Sequence, residues 1–527
     1  MNDLINILDK RIDLRVYLFR YGWLLLQERL DDRFMYGYPF YEEWREVRVG
    51  KYYVYLHKDA RFTAYDSNID NSTLVLLGHA YNPFTMDSDE HTILKDIAIT
   101  GRNESKFIDK INELTGVFIF MRIKDDEIML ISDPASMLPA FYGRFDNKIV
   151  ISSHSQLIAD IFNLKHSKIA QELIRYKWYP RLPGAYLPGD LSPFDELKRV
   201  VANQVYTMDK ANITHHRFYP LLKDVDSALT YDETIKLSSR IMANNLALIA
   251  KKWDRPYISL TGGIDSNTTF AAANGLYKKI HTFSYISAPK EEPDAMAAKK
   301  IASKFGSDFT LVRIPENSDG IDDYDTMSKI INHNNAYSNP INDAELRKRI
   351  VMGEQNYISC EIKSWVSETF RAPMFHRYRR KKMPTVSAKL FRNLYKIFLT
   401  NRLLAHKVDL IFDDFIQNFE YDKIPVQFDA SDMFFHECEW GSWGGLCISD
   451  MKLGFDITIP YNNRKLINSL LRLPLEVRLN DYHHLGIKKL LNEELFNMNI
   501  HVENVNETKT RGRLLNLIFT ANMISPF

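Results

Sequence analysis

Short apolar stretches rich in β-branched and aromatic residues, separated by polar turn residues, dominate the first part of the chain. These stretches are KYYVYLH, STLVLLGHAYNPF, GVFIFMRI, EIMLISD and NKIVISSH. Such stretches predict β-strands, and the short turns between them predict hairpins in a layered antiparallel architecture. We therefore predict a layered α+β domain over residues 1–225.

The pattern changes near residue 230, where apolar strands begin to alternate with helical stretches. A long helical run leads to the strand YISL, which is followed by a helix, the strand IHTFSYIS, the helix DAMAAKKIASKFG and the strand FTLVRI. Strands that alternate with helices predict a parallel, doubly wound α/β sheet. The pattern becomes mostly helical after Thr326, and we predict that residues 226–527 form the second domain.

Composition narrows the range of partners for this chain of 527 residues. The net charge of +1 gives no overall case for nucleic acid. No stretch reaches the roughly 18–20 apolar residues of a membrane span. Cys360, Cys438 and Cys447 lack the spacing of a metal site or a disulfide framework. Since the N-terminal segment also lacks the features of a signal peptide, we expect a reduced, cytoplasmic compartment.

The turn TGGIDS, residues 261–266, joins the predicted strand at 257–260 to a predicted helix rich in Thr and Ala. Glycine allows unusual backbone angles and a close approach of the backbone to a ligand. A strand–turn–helix unit also directs free backbone N–H groups towards the helix N-terminus, where anions are favoured. The turn is therefore a predicted phosphate site.

The same turn resembles the pyrophosphate loop SGGxDS of the ATP pyrophosphatases, which include asparagine synthetases, GMP synthetases and tRNA-modifying ligases. Thr261 replaces the usual serine, which keeps a hydroxyl. The resemblance implies that Asp265 binds Mg²⁺ and that ATP is cleaved between its α- and β-phosphates, leaving AMP on a carboxylate. It implies the following nucleotide-binding residues: Leu260, Thr261, Gly262, Gly263, Asp265, Ser266 and Ser284.

The stretch from Tyr257 to Ile314 is similar to asparagine synthetases in its order of elements. It has a strand that ends near the nucleotide, then an acidic loop, then an alanine-containing helix that ends in a glycine turn. The acidic loop contains Glu291, Glu292 and Asp294. These could be functional, but we favour the simpler interpretation that acidic residues at the start of a helix stabilise the helix dipole.

A second acidic element of this family has the form GxGxDExFxGY, and its counterpart here is residues 357–375. We predict a strand at 357–359 and take SETFRA, residues 367–372, as the equivalent of the DExFxG part. The resemblance implies that Glu368 is a second magnesium ligand and that Glu361 is a catalytic base. The glycines are missing and the aspartate is replaced, so two glutamates on a helix surface remain an alternative.

A later stretch, residues 450–495, is similar to the scaffold of asparagine synthetases that carries the PFLDHR motif, in whose place this chain has IPYNNR, residues 459–464. The basic sequence ETKTRGR follows it and resembles a segment that brings a lysine to the acyl-adenylate. Lys509 is therefore a predicted catalytic cation, since a positive charge there would stabilise a developing oxyanion. A solvated run of charges is the alternative interpretation.

The stretch 114–160 looks like the glutaminase domain of glutamine-dependent asparagine synthetases, an Ntn-type fold. LGHAYN, residues 77–82, resembles the NGEIYN turn of that domain. Such glutaminases use a cysteine directly after the initiator methionine, but Asn2 stands there and no cysteine precedes Cys360. Without a thiolate there is no nucleophile for glutamine. We therefore expect a glutaminase-like domain without glutaminase activity.

Together these resemblances imply an ATP- and Mg²⁺-dependent amide synthetase that joins a carboxylate to ammonia or to a substrate amine. A peptide or a glycan precursor could supply either group, and asparagine biosynthesis is one role of such enzymes. Two alternatives remain: a nucleobase- or tRNA-modifying ligase, for which the basic segment 376–396 could contact phosphate, and a non-catalytic ATP-binding relic. We expect no membrane partner and do not favour nucleic acid, and a homodimer remains open.

Overall fold

The computed structural model describes residues 2–100, 103–181, 184–225, 229–500 and 509–524. The strands of the N-terminal half are β1 Trp23–Leu26, β2 Trp44–Val49, β3 Tyr52–His57, β4 Phe62–Ser67, β5 Ser72–Tyr81, β6 Thr115–Lys124, β7 Glu127–Ser132, β8 Phe141–Phe145, β9 Lys148–Ser152, β10 Leu197–Arg199, β11 Gln204–Met208 and β12 Ile213–Arg217. Its helices are α1 Asn2–Lys10, α2 Arg33–Tyr36, α3 Glu90–Thr100, α4 Glu104–Glu113, α5 Ser155–Phe162 and α6 Lys168–Ile174.

The strands of the C-terminal half are β13 Pro256–Ser259, β14 His281–Ile286, β15 Phe309–Arg313, β16 Cys360–Ile362 and β17 Asp456–Thr458. Its first helices are α7 Tyr231–Lys252, α8 Ile264–Ala272, α9 Glu292–Phe305, α10 Tyr324–Asn334, α11 Asp343–Gly353, α12 Pro373–Tyr378, α13 Ala388–Tyr395 and α14 Arg402–Asn418. Those that follow are α15 Ala430–Phe434, α16 Gly445–Met451, α17 Arg464–Leu471, α18 Leu475–Leu479, α19 Tyr482–Leu491, α20 Glu493–Asn497 and α21 Lys509–Ile524, with a π-helix at Phe435–Gly444 between α15 and α16.

Two antiparallel sheets of six strands form the N-terminal half, in the orders β10-β8-β9-β1-β3-β2 and β12-β11-β7-β6-β5-β4. Helix α3 packs on β4 and β5 of the second sheet, and α5 packs on β9 of the first. Apolar side chains of both sheets, such as Val54 and Phe118, belong to one buried cluster. The predicted layered antiparallel architecture is confirmed.

A parallel sheet of five strands forms the centre of the C-terminal half, in the order β15-β14-β13-β16-β17. The chain starts at the central strand β13, adds β14 and β15 on one side, and then returns to add β16 and β17 on the other. This order is that of a doubly wound sheet, as predicted. Ligands of such sheets bind at the carboxyl ends of the strands, at the point where the winding reverses. Here that point lies at the central strand β13, between β14 and β16.

Local sequence explains how α7 leads into the sheet. Thr230 and Glu233 form a capping box, in which Thr230 Oγ1 accepts a hydrogen bond of 3.3 Å from the Glu233 N–H and Glu233 Oε2 accepts one of 2.8 Å from the Thr230 N–H. The helix ends at Lys252, and its buried face includes Leu246 and Ile249. Its C-terminus delivers the chain to β13, whose Ile258 is fully buried.

Buried polar contacts join the two halves. Arg217 of β12 donates hydrogen bonds of 2.7 and 3.0 Å to the carboxylate of Glu437 in the π-helix, and neither side chain is exposed to solvent. Burial by itself would raise the pKa of Glu437, but Arg217 holds it below its ordinary value. A buried pair of this kind strongly opposes separation, because either charge alone would be uncompensated. The predicted division at residue 225 stays a prediction.

Within the described ranges, none of the helices combines the length and the apolar character that crossing a membrane requires.

Candidate active site

The TGGIDS turn is held in shape by its own hydroxyl groups. Thr261 Oγ1 accepts a hydrogen bond of 3.1 Å from the Gly263 N–H and lies 3.0 Å from Ser266 Oγ. Ser266 Oγ also accepts a bond of 3.1 Å from the Thr261 N–H. Gly263 is the N-cap of α8, which begins at Ile264, within the segment 261–266 that the sequence assigned to the turn. The turn is therefore pre-formed at the carboxyl end of β13.

An acidic side chain already lies against this turn. Asp294, in the first turn of α9, accepts a hydrogen bond of 2.8 Å from the Gly262 N–H. The side chain is half-buried, and burial raises its pKa. Of its two acidic neighbours, Glu291 binds the backbone N–H groups of Ser287 and Ala288, whereas Glu292 is exposed. Asp294 therefore binds the Gly262 N–H, a donor that a phosphate would use. The helix-dipole interpretation did not predict this contact.

The carboxylate of Asp265 faces three neighbours. Ser367 Oγ donates a hydrogen bond of 2.7 Å to Oδ1, and Arg371 Nη1 donates one of 3.0 Å to Oδ2. His484 Nε2 lies 3.3 Å from Oδ1. Burial lowers the pKa of His484 to about 3, so its imidazole is neutral at pH 7. Arg371 is in turn held by two hydrogen bonds, of 2.7 and 2.8 Å, to Asp481.

A cavity of about 670 Å³ lies over the carboxyl ends of β13, β14 and β16. Its size suits a nucleotide and a small second substrate, because ligand pockets are typically about 300–1,000 Å³. It brings together most of the residues predicted from the sequence, namely Leu260, Thr261, Gly263, Asp265, Ser266, Ser284, Glu361 and Glu368. Gly262 is not part of the lining. Ser284 Oγ donates a hydrogen bond of 2.6 Å to the Leu260 carbonyl, so it also fixes the turn.

Glu361 is part of a strand rather than of the loop that follows one. The predicted strand at 357–359 is wrong, since β16 covers Cys360–Ile362, where its residues pair with both β13 and β17. Glu361 is buried, and its Oε1 accepts a hydrogen bond of 2.7 Å from Lys363 Nζ. Lys363 Nζ also lies 5.0 Å from the centre of the Trp365 ring. The pairing with both neighbouring strands fixes Glu361, so it is not a surface glutamate.

Glu368 lies in a single 3₁₀ turn, Ser367–Arg371, beside Asp265. Its Oε2 is buried and has no hydrogen-bond partner within the described part of the chain. Burial and the neighbouring charge of Asp265 raise the pKa of Glu368 to about 8. A carboxyl group with a pKa near neutrality can exchange a proton with a substrate at physiological pH.

The two carboxylates can be tested as holders of magnesium. The described residues contain no group of three His, Cys, Asp or Glu side chains arranged around a metal position. Mg²⁺ commonly uses only one or two carboxylates and takes its other ligands from phosphates and water. The unpartnered Glu368 Oε2 next to Asp265 fits an ion that arrives with nucleotide phosphates.

Lys509 is the first residue of α21, and its side chain lies outside the described part of the chain. Its predicted role stays a prediction. Three arginines of the basic segment 376–396 bind groups of the protein itself: Arg377 pairs with Glu439, Arg380 with Asn516 and Thr520, and Arg392 with Asp409. These contacts reduce the case for that segment as a nucleic-acid surface.

Several residues of the site were not found from the sequence. Lys363, Trp365 and Trp443 line the cavity, and the connector between α6 and β10 contributes Pro180, Gly184 and Ala185 from the N-terminal half. Arg371 lies within SETFRA at an unspecified position of the family motif, so the motif gave no signal for it. No local pattern pointed to Trp443 or to the connector, because both reach the cavity only through packing.

Residues 254–349 match the family model described as asparagine synthase. This segment is similar to asparagine synthase over less than a fifth of the chain. It begins just before β13 and ends within α11, so it contains the TGGIDS turn and Asp294. The general chemistry that the domain indicates is ATP-dependent amidation. The turn after β16, with Glu361 and Glu368, lies beyond the matched segment.

Two solved structures have a distant similarity to the chain. One is the allosteric regulatory enzyme of purine biosynthesis, with 10% identity, a TM-score of 0.25, and coverage of 57% of this chain and 79% of that one. The other is glutamine phosphoribosylpyrophosphate amidotransferase from B. subtilis complexed with ADP and GMP, with 11% identity, a TM-score of 0.21, and coverage of 67% and 71%. Because both TM-scores are low, we assign no feature of these two structures to this chain. The comparison with curated proteins gave no match.

Proposed function

We propose that the chain forms an amide bond through a carboxyl-adenylate, with release of pyrophosphate and AMP. The observation that carries this proposal is the single cavity in which the TGGIDS turn faces Glu361 and Glu368. ATP would place its β- and γ-phosphates at the turn, with Mg²⁺ bound by Asp265 and Glu368. The ion would supply positive charge to the phosphates.

The two chemical steps follow from this placement. An oxygen of the substrate carboxylate attacks the α-phosphorus, the bond to the β-phosphate oxygen breaks, and pyrophosphate leaves. The amine nitrogen then attacks the acyl carbon, AMP leaves, and a carboxylate takes the proton from nitrogen. Glu361 would take that proton after release from its ion pair with Lys363, since Glu368 would be occupied by Mg²⁺.

The amine would come from ammonia or from a substrate amino group rather than from glutamine. No cysteine occurs before Cys360. Cys360, Cys438 and Cys447 are all buried, and burial raises the pKa of each thiol. A thiolate nucleophile for glutamine is therefore not supported by any cysteine of the chain.

The connector from the N-terminal half would exclude water from the acyl-adenylate. Ala185 and Gly184 line the cavity opposite the sheet, and Gly184 packs so closely on Trp443 that an added Cβ would lie 2.7 Å from its ring. Exclusion of water prevents hydrolysis of a reactive acyl intermediate. The N-terminal half would thus serve as a wall of the active site.

A non-catalytic nucleotide-binding role is a second candidate, favoured by the two salt bridges in the cavity wall. Arg371 neutralises Asp265, and Lys363 neutralises Glu361. Under this alternative the chain would bind ATP without cleaving it.

The test measures pyrophosphate and AMP release from Mg-ATP with a panel of amino acids, peptides and sugar acids, each with ammonium or an amine donor. The proposal expects equal amounts of pyrophosphate and AMP with at least one pair and no glutamate from glutamine. Binding of ATP without release across the panel would favour the non-catalytic role. Glutamate formation by the pure chain would contradict the assignment of the nitrogen source.

A further inference from the structure

Arg371 makes a contact that the resemblance to asparagine synthetases does not lead one to expect. Its Nη1 donates a hydrogen bond of 3.0 Å to Asp265 Oδ2. Its Nε and Nη2 donate to the two carboxylate oxygens of Asp481, at 2.7 and 2.8 Å. This two-point contact fixes the plane of the guanidinium, so Nη1 has a defined direction towards Asp265.

Arg371 is the source of positive charge at Asp265 within the described residues. Ser367 is uncharged, and His484 is neutral because burial lowers its pKa to about 3. Arg371 does not line the cavity, whereas Asp265 does. The guanidinium therefore contacts Asp265 from outside the lining of the cavity.

The second turn lacks a carboxylate that the family motif supplies. The motif DExFxG has an aspartate where this chain has Ser367, whereas Arg371 stands at an unspecified position, directly before Ala372, which replaces the glycine. Ser367 and Arg371 both donate hydrogen bonds to the same carboxylate, that of Asp265. One carboxylate that could hold a magnesium ion is therefore absent from this turn, and a guanidinium contacts Asp265.

We infer that Arg371 is a fixed counter-charge that takes the place of a second magnesium ion at Asp265, in addition to the one that arrives with the nucleotide phosphates. The nucleotide then binds with the ion that its own phosphates chelate and needs no further Mg²⁺. Arg371 is a positioning residue in this account, since it acts through Asp265. The inference rests on the proposed nucleotide site but does not require that the chain complete the amidation reaction.

The experiment measures binding of α,β-methylene-ATP to the full chain by calorimetry as free Mg²⁺ is raised. The range starts where the nucleotide is already fully converted to its magnesium complex. The affinity of the wild type for the analogue should stay constant as free Mg²⁺ rises further. Arg371→Gln, which keeps a polar side chain but loses the charge, should bind at least tenfold more weakly at the lowest Mg²⁺. It should then gain affinity about tenfold for each tenfold rise in Mg²⁺.

Two further variants separate charge from structure. Arg371→Lys restores the charge and should return the flat dependence of the wild type. Arg379→Gln removes an exposed arginine from the end of α12 and should leave both affinity and Mg²⁺ dependence unchanged. A merely structural role for Arg371 would lower affinity equally at all Mg²⁺ concentrations.

Two results would overturn the inference. One is a wild type whose affinity rises with Mg²⁺ across the same range. The other is an Arg371→Gln variant that folds, as judged by its melting temperature, and keeps the flat wild-type dependence. Failure of the wild type to bind the analogue or pyrophosphate at any Mg²⁺ would instead refute the proposed nucleotide site itself, and this inference with it.

Discussion

The turns after β13 and β16 lie side by side at the same edge of the parallel sheet, yet they present different chemistry to one cavity. The first turn keeps its glycines and backbone donors, and its one carboxylate, Asp265, faces the cavity. The second turn has lost the glycines of the family motif. Glu361 in the strand before it is paired with Lys363, and Arg371 within it binds Asp265.

The difference contrasts two ways of building a site. Backbone N–H groups bind anions whatever the neighbouring side chains are, provided that the turn keeps its shape. A site made of carboxylates depends on the charges beside them. In the second turn those charges are Lys363, which pairs with Glu361, and Arg371, which pairs with Asp265.

The largest effect is expected from Asp265→Ala in the first turn. The variant loses the carboxylate that we propose as a Mg²⁺ ligand, and loss of one preorganised group that stabilises developing charge typically lowers turnover by about 100- to 1,000-fold. Arg371 keeps Asp481 as a partner, so the melting temperature should change little. The measurement is pyrophosphate release from Mg-ATP with the best substrate pair. A variant that releases pyrophosphate at the wild-type rate would show that the first turn is not the nucleotide site.

A second prediction concerns the buried ion pair of the second turn. Lys363→Met leaves Glu361 buried with no opposite charge, and breaking a buried pair costs about 3 kcal/mol of unfolding free energy. Glu361→Gln/Lys363→Met removes both charges and should recover most of that loss. Urea unfolding of the two variants and the wild type gives the three free energies.

The outcome for the double variant decides what the pair does. A double variant that is stable but cannot form the amide would support a catalytic role for Glu361. One that is stable and fully active would show that the pair serves only the fold. If Lys363→Met alone were as stable as the wild type, leaving Glu361 without its partner would carry no cost, which would contradict the prediction.

The smallest effect is expected from Asp294→Asn, which tests whether the first turn is held ready for an anion. The amide oxygen can still accept from the Gly262 N–H, but the negative charge is gone. A repulsion of about 1 kcal/mol, as for unit charges about 4 Å apart in water, corresponds to roughly fivefold tighter binding of pyrophosphate. Calorimetry with pyrophosphate is the measurement, and Glu292→Gln, an exposed residue of the same helical turn, is the matched control.

The same site predicts a pH dependence. Burial raises the pKa of Asp294 above its ordinary value near 3.8, so the side chain takes up its proton at a higher pH than in an unfolded chain. Protonation removes the repulsion, and wild-type affinity for pyrophosphate should therefore rise as the pH falls through that raised pKa. The rise should be absent in Asp294→Asn relative to the wild type. An equal rise in both would assign it to another group.

Much of the fold followed from the local sequence pattern, and one misplaced strand shows where that pattern fails. The alternation of strands with helices after residue 230 predicted the parallel sheet because short apolar strands are separated by longer helical stretches. The strand at 357–359 was misplaced by three residues. Its true position, Cys360–Ile362, includes a glutamate that is tolerated in a buried strand only because Lys363 lies beside it.

The sequence by itself determined the shape of the TGGIDS turn, since Thr261, Gly263 and Ser266 bond to one another within six residues at the end of one strand. It also determined which carboxylates are candidates for the chemistry. Only the tertiary structure decided their charge state and partners. Arg371 meets Asp265 across 106 positions of sequence and Asp481 across 110. A charge is set by whatever surrounds it in space, and packing rather than local order chooses those neighbours.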